Sequence, residues 1–207
     1  MNLKSAGNKG VVRKIEKIRG IIINRHEVGE ADVIVRIYSK KRGKLSAIAK
    51  NAVKSRRRFG SGLKLFQEGE FDLQFRGTLH FLNSYKVISS FNEISSVPFR
   101  YVVGCVFTEA VLKLSAEESS CNSERVYQVF INFLEKLKYA SDKKEALLFL
   151  FLSLNELLRF TGFLGDSAVR AEPTALNLKN LLHYTESVCE SKFKSTEEVE
   201  RMIESLF

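Results

Sequence analysis

The sequence predicts an α+β protein: an N-terminal five-stranded OB-type β-barrel followed by an all-helical C-terminal domain. Three observations carry that prediction. Five short runs between Ile18 and Ile88 alternate apolar and polar residues, the period of half-buried strands. After Ser96 apolar residues recur at steps of three and four, the period of one-sided helices. The strands follow one another closely, with one longer basic connection, as in a small closed barrel; an SH3-like barrel fits the same strand count. The expected organisation is a mobile basic tail over residues 1–17, a barrel over 18–92 and a helical domain over 97–207. With 207 residues, 44% of them hydrophobic and 16 of them Phe, the chain can pack two cores.

The first strand is IRGIIINR, Ile18 to Arg25, rich in β-branched residues. A polar turn around Gly29 leads to Val33–Ser39, where Val33, Val35 and Ile37 share one face and Ile34, Arg36 and Tyr38 the other. KKRGK makes a hairpin turn at Gly43, and Leu45, Ala47 and Ala49 continue the buried face. Asn51 to Gly62 loses the alternation and reads as a basic loop or short helical turn. Phe71, Leu73 and Phe75 mark the fourth strand, Gly77-Thr78 a turn, and Leu79–Ile88 the fifth strand.

In the helical half, Phe99, Val103, Val106, Phe107 and Ala110 line one face of a helix with Pro98 in its first turn. Ser123 is placed to cap a second helix with Val126, Phe130, Phe133, Leu134 and Leu137 buried. Asp142 and Glu145 form a capping-box pair before KKEALLFLFLSLNELLRF, which Gly162 ends. That helix is apolar nearly all round and is expected to be enclosed. PTALNLKNLLHY and STEEVERMIESLF read as two shorter helices, Thr196 suiting the start of the last.

Charge is distributed very unevenly. Val33 to Gln67 contains Arg36, Lys40, Lys41, Arg42, Lys44, Lys50, Lys54, Arg56, Arg57, Arg58 and Lys64, and neither Asp nor Glu. The whole chain has a net charge of +9, so everything outside this stretch is net negative. A run of Lys and Arg is often only a solvated face. Here the missing counter-charge and the strand alternation favour a polyanion footprint. All eleven are candidate phosphate contacts in an OB groove; Tyr38 and Phe59 are candidate base-stacking rings, equally suited to packing. Nothing resembles a base-reading helix, so no sequence specificity is expected.

Several function classes lack support. Cys105, Cys121 and Cys189 are odd in number and far apart, fitting inert thiols in a reducing compartment. The polar, basic N-terminus has no apolar signal core. The longest apolar run, Ala146 to Leu154, is about half of a membrane span, so no membrane partner and a cytoplasmic, nucleoid-associated location are expected. No P-loop, G-x-G-x-x-G or G-x-S-x-G occurs, and no cofactor or metal is expected. His26, Glu27, Glu30 and Asp32 read as turn caps that orient neighbouring arginines. His80 and His183 read as surface or boundary residues.

VGEAD before a hydrophobic strand, then RGKLSAIAKNAVKS, then RFGSGLKLFQEGEF, together resemble the N-terminal domain of the bacterial recombination mediator family RecO. Gly29, Glu30, Gly43, Lys44, Ala49, Lys50, Arg58, Leu63 and Phe66 match in order; beyond Ile88 the likeness is architectural. The resemblance implies a non-enzymatic protein that binds single- and double-stranded DNA. It would promote strand annealing and help load recombinase onto DNA coated with single-strand binding protein. Implied partners are RecR, the acidic, apolar C-terminal tail of single-strand binding protein on the helical half, and indirectly RecA. Lys113, Arg125 and Arg159 are suggested as a basic rim for that tail. The chain departs from the family in three places. Asn51 replaces a Gly but tolerates a left-handed backbone. Arg57 replaces a Ser. GFLGDSAVRAEPT lacks the cysteines of a family zinc site, so no structural zinc is expected. The rival readings are an RNA-binding OB module, a metal-dependent nuclease using Glu27, Glu30 and Asp32, and a structural adaptor for an acidic protein surface.

Overall fold

The structure, a computed structural model, describes residues 15–60, 62–165 and 172–206. Strands β1 (Ile15–Val28), β2 (Asp32–Ser39), β3 (Gly43–Ala49), β4 (Gln67–Gln74) and β5 (His80–Ser90) close a barrel in the order β1-β2-β3-β5-β4. Every pairing is antiparallel except β3 with β5, the arrangement of an OB-type barrel rather than an SH3-like one. Register follows the apolar alternation: Val33 lies opposite Ala49, Val35 opposite Ala47 and Ile37 opposite Leu45, all inside. A one-residue slip would turn that whole set to solvent. The connection from β3 to β4 contains a one-turn helix, α1 (Arg56–Phe59), and from it Phe59 and Leu63 plug the barrel end.

β1 begins at Ile15, opposite Gln74, so residues 15–17 of the expected tail belong to the sheet; residues 1–14 lie outside the described residues. Three successive isoleucines of β1 are buried because both faces of the strand are covered there, just before a bulge between Ile22 and Asn24. Ile22 faces the barrel core, while Ile21 and Ile23 join the helical core.

The helices are α2 (Asn92–Ser95), which the sequence pattern had not indicated, α3 (Pro98–Leu114), α4 (Ser123–Leu137), α5 (Lys143–Phe160), α6 (Ala175–Val188) and α7 (Thr196–Glu204). Asp142 caps α5 by accepting from the Glu145 N–H at 2.8 Å. The return bond goes one residue further out than a capping box requires, from Ser141 N–H to Glu145 at 2.7 Å. The cap of α4 is Asn122, in left-handed conformation at φ 53°, not Ser123. α5 packs against α3, α4, α6 and α7, yet Leu148 and Leu152 stay exposed, so its enclosure is incomplete.

The helices cover one end of the outer barrel surface. Tyr38, Ile21, Ile23 and Phe66 all sit in the helical core. Burying a side chain such as Phe66 completely is worth about 2–3 kcal/mol. Gly104 on α3 allows this contact, because a Cβ there would stand 2.9 Å from the Phe66 ring. Gly43 serves the β2–β3 hairpin in the same way: it has φ +64°, and a Cβ would meet the Ser119 carbonyl oxygen at 2.3 Å.

Candidate nucleic-acid interface

The ten of the eleven cations whose side chains are described do not gather in one groove. At the hairpin end Lys40 and Lys44 are taken up by the contact between barrel and helices, and Arg42 by a contact within the barrel. Lys44 is buried, donating from Nζ to the Leu112 carbonyl at 2.8 Å with Glu117 at 3.5 Å. Lys40 pairs with Glu124 of α4 at 2.9 Å, and the Ser123 hydroxyl donates to the Lys40 carbonyl. Arg42 makes a two-pronged contact with Glu16, 2.7 and 3.3 Å, while its guanidinium lies 4.5 Å from the Phe75 ring centroid. Lys41 alone in this group is exposed with no carboxylate partner among the described residues.

Nearby, Glu68 of β4 completes the seam. It is buried, accepts from Arg19 Nε at 2.7 Å and from the Tyr127 hydroxyl of α4. Burial raises the Tyr127 pKa, and the bond to Glu68 adds to it; the same carboxylate raises that of Arg19. His80 also belongs here. The sequence placed it at the surface or a boundary, but it is 1% exposed. Its Nδ1 accepts from Arg76 N–H at 3.3 Å, its ring tilts against Phe75, and Nε2 lies 3.2 Å from Glu118 of the α3–α4 connection. The helices thus occupy Lys40 and Lys44, β1 occupies Arg42, and Lys41 alone of the four is left to solvent.

At the loop end the cations fare differently. Lys54, Arg57 and Lys64 are exposed and have no carboxylate partner among the described residues. Arg36 projects half-buried from the outer face between Asn24 and Ser46. Arg58 is used locally, donating to the Lys50 carbonyl at 2.5 Å and to Ser55 Oγ at 3.1 Å. Lys50 meets Asp32 at 2.5 Å; Asp32 also accepts from the Asn51 N–H at 2.9 Å, and Asn51 takes the expected left-handed turn at φ 55°. The Lys50 bond, followed by the Asn51 N–H, holds the Asp32 carboxyl below its ordinary value of 3.8. The Arg56 side chain lies outside the described residues. A cleft of about 750 Å³ opens here, with the Arg25 and Glu27 pair, Val33, Ala52, Val53 and Leu63 among its lining residues.

Both suggested stacking rings are corrected by their burial. Tyr38 is 3% exposed beneath the helices, where desolvation pushes its phenol up to about 12, and Phe59 is 1% exposed inside the barrel. Neither has a face for a base. A ring that the sequence reading did not single out, Phe81, is half-buried on the outer face with the Arg76 guanidinium 4.3 Å from its centroid. Its signal was available: it is the outward position of β5 beside inward Leu82.

Among the described residues no three His, Cys, Asp or Glu side chains converge as metal ligands, and no helix is long and apolar enough to cross a membrane. Glu27 is paired with Arg25 at 2.9 Å. The three cysteines are free thiols. Of the suggested rim, Lys113 pairs with Glu109 at 3.2 Å and donates to Ser191, whereas Arg125 and Arg159 flank Phe160. They do not surround one slot. An apolar groove of about 450 Å³ lies elsewhere, between the starts of α5 and α6 and the end of α7, with Lys144 among the residues lining it.

A closed five-stranded barrel with a plugging helix between its third and fourth strands, and with cations on its loop end, defines an OB-barrel protein carrying an attached helical bundle. Residues 14–91 match the family model described as recombination protein O, N-terminal. A DNA repair protein RecO of Syntrophobacter fumaroxidans is 29% identical over 142 residues, covering 67% of this chain and 55% of that protein. The RecO of Acetivibrio thermocellus is 34% identical over 122 residues, 58% and 47% of the two chains. That of Clostridium novyi is 30% identical over 149 residues, 72% and 57%. These matches place the barrel domain of the chain in the RecO family. It spans about half the length of the curated relatives it matches.

Proposed function

We propose that this protein is a non-enzymatic, DNA-binding mediator of recombinational repair. The observation that carries the reading is the exposed set Lys54, Arg57 and Lys64, unopposed by carboxylates among the described residues, beside Arg36 on the outer barrel face. Lys50 joins it when a phosphate competes for it with Asp32. The relatives' name, DNA repair protein, supports DNA as the polyanion. The cations contact single- and double-stranded DNA by counterion release. Neutralising phosphate charge lets complementary strands approach, so annealing needs no nucleotide. The helical half recruits partners: its groove between α5, α6 and α7, lined by Leu147, Leu148 and Phe151 with Asp142, Lys144 and Glu145 at its edge, offers apolar side chains to the tail of single-strand binding protein, and RecR and, indirectly, RecA complete recombinase loading. The protein acts in the cytoplasm, on the nucleoid.

The test reverses charge at Lys54 and Arg57 together, leaving the locally bonded Arg58 in place. The affinity for a labelled single strand at fixed salt is expected to fall at least tenfold. The log–log salt slope should shrink by roughly 0.7 for each phosphate that is no longer neutralised, with the thermal melt unchanged. Unaltered affinity in a folded variant overturns the reading. An RNA strand of the same sequence at matched salt tests the RNA-binding alternative, which wins if RNA binds tighter.

A further inference from the structure

The outer face of β2, β3 and β5 carries an apolar strip that the basic stretch does not account for. Register places Ile34 opposite Ile48, and Ile48 opposite Phe81. Their strand neighbours Val33, Val35, Ala47, Ala49 and Leu82 all face the barrel core, so these three face away from it. Ile48 is 8% exposed between its neighbours, while Ile34 and Phe81 are half-buried. Phe81 belongs to neither hydrophobic core. Arg76, from the β4–β5 turn, lays its guanidinium over the Phe81 ring and is steadied by donating to Gln74 Oε1 at 2.9 Å. Arg36 stands one row along the same face. A flat ring, a flat cation, a β-branched floor and a positive flank therefore share one surface.

We propose that Phe81 and Arg76 form a base-stacking step for single-stranded DNA, with bases over Ile34 and Ile48 and phosphates passing Arg36 towards Lys54 and Arg57. The proposal rests on the DNA-binding reading above and adds to it where the bases go. A duplex hides its base faces within its own stack, so only an unstacked strand can use such a ring. The surrounding cations match a polyanion. Three apolar side chains fall far short of the roughly 800 Å² that each partner buries in a stable protein–protein contact.

The chain contains no Trp, so Phe81→Trp creates a single emitter at the proposed step. Its fluorescence is expected to be quenched by an oligothymidylate along the binding isotherm, whereas that of Phe163→Trp, exposed in the helical half, stays unchanged. Phe81→Leu keeps an aliphatic cover over Ile48 and removes the ring. Its affinity for oligothymidylate should fall roughly tenfold, with no change in salt slope or in affinity for an abasic strand of equal length. An unquenched Phe81→Trp protein, or an equal loss on the abasic strand, overturns the stacking step. If the Lys54 and Arg57 reversal still weakens binding, the phosphate reading survives that result; if neither variant alters affinity, both readings fall. Should Phe81→Leu melt early, the Trp variant decides alone.

Discussion

The two ends of the basic stretch have similar charge in sequence and opposite fates in the fold. From Lys40 to Lys44 three of four cations meet carboxylates or a buried carbonyl, and the partners Glu16, Glu117 and Glu124 all lie outside the stretch. From Lys54 to Lys64 the described cations meet water or their own loop. At the hairpin end Lys40 and Lys44 tie the barrel to the helices and Arg42 ties β1 to the hairpin; at the loop end Lys54, Arg57 and Lys64 stay exposed. A lysine count measures neither role, because the deciding anions come from residues distant in the chain.

The largest expected effect breaks the hairpin end. Lys44→Ala removes a buried ammonium and leaves the Leu112 carbonyl without its donor, a loss of about 2–3 kcal/mol. Chemical denaturation should show it, while strand affinity at fixed salt changes less than twofold. A variant that keeps its stability but binds weakly would erase the division between the two ends.

A smaller effect comes from Tyr127→Phe, which deletes the hydroxyl donated to Glu68 while Arg19 still pairs with that carboxylate. The expected cost is about 1 kcal/mol, read as a lower melting temperature with DNA binding intact. No change would mean that the seam is held by apolar packing alone.

Much of this was legible beforehand, for reasons visible in particular residues. Val33, Val35 and Ile37 announced both their strand and its inner face, because a two-residue period has only one solution against a barrel core. Asp142 and Pro98 marked helix starts through bonds that are local in sequence. Tyr38 was misread because its face of β2 is outer with respect to the barrel but inner with respect to the helices. Alternation distinguishes two faces of a strand; it does not say that both are covered. Phe59, read as suited to stacking or to packing, was undecided for the reverse reason: its connection, read as a loop or short helical turn, has no alternation to say which way a ring points, and the helical turn points it into the barrel. The site was thus half visible. Its charge could be read, but its pairing could not, since Glu124 and Glu117 reach the hairpin only once the helices have folded against it.

The smallest effect sharpens the comparison from the loop end, where Lys50 is paired with a carboxylate. Asp32 is depressed in pKa by Lys50 and the Asn51 N–H, so its contribution to stability is complete above the ordinary carboxyl value of 3.8. It is lost as pH falls through the lower folded value. Asp32→Asn should therefore melt slightly earlier than the parent at pH 7, and the gap should close at the acid end as the parent's own carboxyl takes up its proton. The substitution also deletes an anion and releases Lys50. Strand affinity is expected to rise modestly, with the salt slope steepening by up to roughly 0.7 as one more phosphate is met. A fall in affinity would show instead that Asp32 aligns Lys50 for the strand, and that the loop end, like the hairpin end, depends on its carboxylate.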